Sequence, residues 1–382
     1  MNQLKRWLLP LALGWAALGG SQSAHAVQIV VGQVAPLSGS NASQGRAYAA
    51  GMQLLFTAIN RSGGVNGHTF ALVSRDDGGR SGDTVQLTQQ LLSESQPTLL
   101  AGYFGSRNIS ELVSSGILEK ERIALVGYRA ADVRLAAPQL YNVRASLRDE
   151  LSAMGKHLTT LGVTRLGLLY EEGPGAAALI TTFEEILRGT NASVVSKAAY
   201  AAHTKRLTDA LDTFITDKPQ AIILVCNGEV CARFIERYRA EGGAAQLFVH
   251  SGADMERVTK RISENRLAFV SSVMQGVAIA QVVPNPLFVS RLAKELTDMV
   301  GKGKQDTPVS YVMMEGYIAA KVIAEAVRRQ GARPTREGMA AALDSIDSLD
   351  LGGYVVGFKP GMRDGSKRVE LTVISDTGKI RQ

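Results

Sequence analysis

The sequence predicts an α/β fold built on parallel sheets that are covered by helices on both faces. Short apolar runs rich in β-branched residues alternate with amphipathic helical patterns along nearly the whole chain. The stretch from Gln28 to Gly67 already contains a full strand, loop, helix and glycine turn, with a second strand following from Thr69 to Ser74. A length of 382 residues with 45% hydrophobic and 20% charged side chains is globular in composition and favours two domains over one.

Residues 1–26 stand apart from this pattern. Lys5 and Arg6 precede an apolar run from Trp7 to Leu18, and Ala24, His25 and Ala26 form a small-residue cleavage pattern, so the segment reads as a secretory signal peptide. The run is shorter than the ~20 residues of a spanning helix, so the mature protein is expected to be soluble outside the cytoplasm. Ile29 to Val34 then has the content of a strand buried on both faces. Pro36, Gly39, Ser40, Asn41, Ser43 and Gly45 make a loop, after which Tyr48, Met52, Leu55, Phe56 and Ile59 recur at helical spacing. The spacing of apolar and turn residues predicts a helix from Asp83 to Ser95, a strand from Thr98 to Ala101, a helix from Ile109 to Glu119 and a strand from Ile123 to Val126. Further units follow: helices near 147–161, 176–188, 204–216 and 230–241, and strands near 166–170, 193–199, 221–225, 247–250 and 267–273. Pro284 and Pro286 interrupt the periodicity; three helices, near 286–300, 309–329 and 335–344, and strands at 354–358 and 369–374 complete the chain.

Several function classes find little support. The formal charge of +7 includes Lys5 and Arg6 of the leader, and no basic run with interleaved aromatics points to nucleic acid. No GxSxG, HExxH or GxxxxGK[ST] pattern occurs and His68, His157, His203 and His250 are isolated, so neither an enzyme nor a metal or cofactor site is expected. Gly173, Pro174, Gly175 and Ala178 imitate a dinucleotide loop, but the next strand carries Lys197 and no acid for the ribose, which favours a glycine turn. Asp76 and Asp77 are adjacent on an extended chain and point apart, so they read as a turn with Gly78 and Gly79. Cys226 and Cys231 are either a disulfide or two buried thiols, the outcome depending on whether their Cα atoms come within about 7 Å.

The run APLSGSNASQGRAYAAGMQLLFTAINRSGGVNG resembles the amino-terminal signature of the leucine/isoleucine/valine-binding protein family, the type I periplasmic solute-binding proteins that serve ABC importers. The resemblance implies two Rossmann-like lobes joined by three crossings, near Val143 to Ala145, Met274 to Val277 and Ser366 to Arg368. One lobe would take residues 27–144 and 276–366, the other 145–275 and 367–382. A small ligand would sit between lobes that close about the hinge, and the partner would be a permease of the inner membrane; a ligand-sensing role on the same fold is the alternative. The protein is expected to be a periplasmic monomer.

Loops at the carboxyl ends of strands then carry the expected site, because helix amino termini there offer N–H groups to a carboxylate. By resemblance, Ser106 in the Gly105 loop and backbone at Ala130 hold the ligand carboxylate. Ala131 stands where the branched-chain binders have threonine, and Gln44, Pro174 and Asn227 stand where they have aromatic residues. Asp254 and Glu229 are the candidates for a ligand ammonium. Tyr128 and Arg129 suggest an aromatic or anionic group, with a solvated loop charge as the competing reading of Arg129.

Overall fold

In the computed structural model, residues 26–202, 206–255, 259, 273–288, 290–303, 307–376 and 380–381 are described. Two sheets organise the chain. The first is wholly parallel, in the order β2-β1-β3-β4-β5, from β1 (Gln28–Ala35), β2 (Thr69–Asp76), β3 (Leu99–Phe104), β4 (Leu125–Arg129) and β5 (Leu140–Tyr141). The second has the order β14-β13-β10-β9-β8-β6-β7, from β6 (Arg165–Glu171), β7 (Ser193–Tyr200), β8 (Ala221–Val225), β9 (Gln246–Val249), β10 (Ala278–Gln281), β13 (Glu370–Ile374) and β14 (Ile380–Arg381). Its body is parallel, but β13 runs antiparallel to β10 and β14 antiparallel to β13, a mixed edge the sequence did not predict. A separate hairpin pairs β11 (Leu349–Asp350) with β12 (Val355–Val356). Strands β3 and β8 are buried along their whole length, as their unbroken apolar runs LLAGYF and AIILV require of a sheet covered on both faces.

Helices cover the first sheet from both sides. On one face α1 (Ala42–Arg61) lies against α10 (Tyr311–Gln330). Glycine makes this approach possible: a Cβ on Gly51 would come 2.1 Å from the Met313 carbonyl oxygen, and one on Gly316 2.1 Å from that of Tyr48. α9 (Arg291–Lys302) and α11 (Arg336–Asp344) complete that layer, and α2 (Ser81–Ser95), α3 (Ser106–Ser114) and the short α4 (Ile117–Lys120) belong to the other. Asp83, where the sequence places the start of α2, lies in its first turn, and Arg80 occupies the cap position. Around the second sheet are α5 (Leu147–Thr160), α6 (Ala176–Leu187), α7 (Thr208–Asp217) and α8 (Gly228–Ala240). Helix α5 opens with a reciprocal capping box between Ser146 and Asp149.

The first and third crossings fall together. The Asn142 N–H donates to the Arg363 carbonyl at 2.8 Å and the Gly365 N–H to the Asn142 carbonyl at 2.7 Å. The second crossing is later than the sequence reading placed it. β10, assigned there to the first lobe, pairs with β9 and β13 in the second sheet, so the chain leaves that sheet only after Gln281. The run AIAQ is short and weak in β-branched residues, and its strand character comes from its neighbours. Of the strand expected over 267–273, all but Val273 lies outside the described residues, as do residues 1–25 of the expected leader. The Tyr354 hydroxyl lies 2.9 Å from the Val143 carbonyl and 3.1 Å from that of Val282, tying the first crossing to the second.

Candidate functional site

The carboxyl end of β4 on the first sheet meets the turn after β9 on the second. On the first sheet, β3 ends in Gly105, whose φ of 94° is open to glycine at little cost and where a Cβ would strike Asn108 Oδ1 at 2.3 Å. That turn starts α3 at Ser106, and the Ala131 N–H donates to Ser106 Oγ at 2.9 Å, joining the β3 and β4 loops. Asn108 is buried and donates to Thr84 Oγ1 at 2.8 Å and to Asp77 Oδ2 at 3.3 Å, so the loop is anchored from beneath. Desolvation raises the Asp77 carboxyl above the usual range. Its neighbour Asp76 turns the other way and accepts from the N–H groups of Leu37, Ser38 and Gly78 at 2.8–3.1 Å, pinning the β1 loop that leads to Gln44, buried near the start of α1. Desolvation opposes ionisation of Asp76, but these bonds and the Ser38 hydroxyl outweigh it and hold the carboxyl at about 2.

On the second sheet, Asn227 caps α8 by accepting from the Val230 N–H at 3.1 Å. Cys226 and Cys231 are joined as a disulfide with Cα atoms 5.6 Å apart, which settles the two readings of the sequence and staples the end of β8 to the first turn of α8. The His250 Nδ1 accepts from the Gly252 N–H at 3.2 Å, so its Nε2–H faces the Cys226 carbonyl at 3.0 Å. Burial lowers the His250 pKa and keeps the ring neutral. The 3-10 turn Ser251–Ala253 follows and ends at Asp254, which has φ 50°. Glu229 is exposed and pairs with Arg233 one turn along α8 at 2.5 Å. Pro174 sits exposed at the tip of the β6 loop.

Arg129 is neither a solvated loop charge nor a guanidinium open to a ligand. Its side chain is 4% exposed, its Nη1 is bound to Glu315 of α10, and its Nη2 donates to the Ser251 carbonyl at 3.0 Å. Arg144, on the first crossing, binds Glu150 of α5 at 2.8 Å and lies 3.4 Å from both oxygens of Glu315. Glu150 in turn accepts from the Ser251 N–H at 2.7 Å and from its hydroxyl at 2.8 Å. Two arginines and two glutamates, all essentially buried, thus form a neutral cluster reaching from the first sheet to the second. Buried charges persist when paired and hydrogen-bonded in this way. Tyr128, the residue beside Arg129, is 7% exposed in the core cluster of Tyr103, Ile109 and Leu125, and burial raises its phenol well above the usual range.

The halves also meet at the β4 loop, where Ala131 and Val133 pack on the core around Leu147, Leu179 and Phe183. The Cβ position of Gly175 lies 3.4 Å from Asp132 Oδ2 and 3.5 Å from Arg134 Nη2. Sequence reading weighted the loop from Ser251 to Asp254 but did not find Arg144, Glu150 or Glu315. The one signal was Glu315 itself, the acid in the otherwise apolar first half of a helix.

The family model for periplasmic binding proteins matches residues 28–374. An amino acid binding protein of Pseudomonas aeruginosa is 30% identical over 96 residues, a match spanning 25% of this chain and 26% of that protein. Leu/Ile/Val-binding protein homolog 7 of Brucella abortus is 21% identical over 338 residues, 84% of this chain and 82% of the relative. Among solved structures, a substrate-binding periplasmic protein of Ralstonia solanacearum superposes with a TM-score of 0.84 at 35% identity, covering 93% of this chain and 99% of that one. A solute-binding protein of R. palustris in complex with 4-hydroxybenzoate shares the fold at TM-score 0.79, 18% identity and coverage of 93% and 95%. A branched-chain amino acid transporter substrate-binding protein of Streptococcus pneumoniae in complex with isoleucine does so at 0.77, 17%, 92% and 97%. With residues 28–374 matched by one family model, the chain belongs to the periplasmic binding proteins, with the type I fold and with similarity to the Leu/Ile/Val-binding group.

Proposed function

We propose that this protein is the periplasmic substrate-binding component of an ABC importer, capturing a small organic carboxylate between its lobes and presenting it to a permease. The observation that carries the reading is the junction at Ser106, where a hydroxyl, the start of α3 and the Ala131 main chain converge at the mouth of β3 and β4. Helix amino termini and free main-chain N–H groups suit a carboxylate. In this reading the Ser106 hydroxyl and the main chain at Ala130 hold the carboxylate, and Gly105 and Ala131, whose N–H groups are engaged by the Arg129 carbonyl and Ser106 Oγ, shape the loops around it. Gln44, Pro174 and Asn227 line the rest of the cleft, and Asp254 and Glu229 are the acids offered to an ammonium, where the ligand has one. Tyr128 and Arg129 act from behind the site, because both are buried in protein contacts. Relatives with isoleucine and with 4-hydroxybenzoate define the range of carboxylates to test.

The test is a thermal-shift screen of the mature protein against amino acids, aromatic acids and dicarboxylates, followed by calorimetry. A ligand at a hundred times its Kd stabilises by about 2.7 kcal/mol. Ser106→Ala removes one charge-assisted hydrogen bond, about 1.5–3 kcal/mol, and should weaken the hit at least tenfold. Unchanged affinity would remove Ser106 from the site.

A further inference from the structure

Closure of the lobes has a specific buried counterpart in the charge cluster. Arg129 is carried by β4 of the first sheet and its Nη1 is held there by Glu315, on a helix packed against the same sheet. Its Nη2 crosses to the Ser251 carbonyl, which belongs to the turn after β9 of the second sheet. Ser251 is gripped on its own side through its N–H and hydroxyl by Glu150. Arg144 sits on the first crossing, touches an acid from each side and also donates to the Ser251 hydroxyl, so it joins the halves where the chain itself passes between them. The Arg129 contact is different. It lies beyond the crossing, between groups on separate sheets, and opening must break it.

We propose that Arg129 is a positioning residue that couples lobe closure to the docking of the Ser251–Asp254 turn. In the closed form its guanidinium is desolvated and bridges the two halves; on opening, Nη2 and the Ser251 carbonyl return to water while the Glu315 pair stays intact. Closure exchanges water for a protein partner at both groups, a net gain when the donor is charged. The turn carries Asp254 and sits beside His250, which faces the disulfide-stapled loop at Cys226, so the Arg129 contact, together with Arg144 at the Ser251 hydroxyl, ties the first half to this wall of the second. The proposal rests on the cleft reading for its relevance to transport, but its test needs no ligand.

Arg129→Lys keeps a positive charge beside Glu315 while giving up the fork that reaches both partners. The mature ligand-free protein is compared with the variant by small-angle scattering and by amide hydrogen exchange. The expected result is a shift of about tenfold from closed toward open, the consequence of losing one charge-assisted hydrogen bond, seen as a larger radius of gyration. Faster exchange should be confined to residues 250–254, with the melting temperature of the rest little changed. If Arg129→Lys does not fold, the pair Arg129→Gln with Glu315→Gln removes the contact without stranding a charge and carries the same expectation for scattering and for exchange at residues 250–254. Scattering identical to the parent protein, or faster exchange spread evenly over the chain, overturns the proposal. Failure to find any ligand would weaken the transport reading and leave this one standing.

Discussion

Replacing Glu315 with glutamine keeps the side-chain shape but takes one negative charge from a cluster of two guanidiniums and two carboxylates. Glu315 is 2% exposed and is shared by Arg129 and Arg144, so no water is at hand to replace it. The remaining acid, Glu150, is committed to Arg144 and Ser251, which leaves Arg129 with a surplus charge in a dry environment. Removing one partner of a buried pair costs about 3–5 kcal/mol, because the other charge is left uncompensated. For lobes of this size, each kcal/mol moves the melting temperature by about 2–4 °C, so the expected drop is on the order of 10 °C. Circular dichroism on heating gives the temperature, and urea titration gives the free energy with the slope as a control on compactness. Glu315→Gln combined with Arg129→Gln should recover part of the loss, since the charge is then removed in pairs. A single variant melting within about 2 °C of the parent would show that the cluster is hydrated, and the argument from burial would fail.

The disulfide closes a short loop, and loop-closure entropy assigns it about 2 kcal/mol; the Cys226→Ser, Cys231→Ser double variant should lose that much in urea, and no loss would mean the Asn227 cap alone holds the loop. The His250 ring has its pKa lowered by burial, with Arg144 and Arg129 adding to the effect and Glu150 opposing it. The unfolded state therefore binds more protons than the folded one below the ordinary value of 6.5, so stability present above that pH should be lost as the pH falls. Comparing unfolding free energies from pH 7 to 5 should show a flatter dependence in His250→Gln; equal slopes would mean that the ring is hydrated or already charged.

The elements that declare themselves by periodicity were readable. Tyr48, Met52, Leu55 and Phe56 recur at helical spacing and are the buried face of α1, and AIILV reads as a two-faced buried strand and is β8. The second crossing was misplaced because Ala278–Gln281 owes its strand conformation to β9 and β13, the latter pairing Ala278 with Val373 and Gln281 with Glu370 far along the chain, and no local signal records such a pairing. The disulfide could only be left open from sequence, since the decisive quantity is where α8 begins. Asn227 caps the helix at Gly228, two residues before the expected start, and that brings the Cα atoms to 5.6 Å.

The site divides along the same line. Ser106 and the Ala131 loop could be placed because strand, glycine turn and helix start are contiguous in sequence. Arg129 could be singled out but not understood, because its partners lie 186 and 122 residues further along the chain. Glu315 was the overlooked clue. An acid between Met313, Met314, Tyr317 and Ile318 sits on a helix that is buried nearly all round, and an acid in such a place needs a buried cation. The chain offers that cation twice, from β4 and from the first crossing, and each guanidinium also reaches the Ser251 turn of the other half, Arg129 at its carbonyl and Arg144 at its hydroxyl. The charge needed to satisfy one helix of the first half is thereby made to depend on the position of a turn in the second, which is how packing of a core can govern the opening of a cleft.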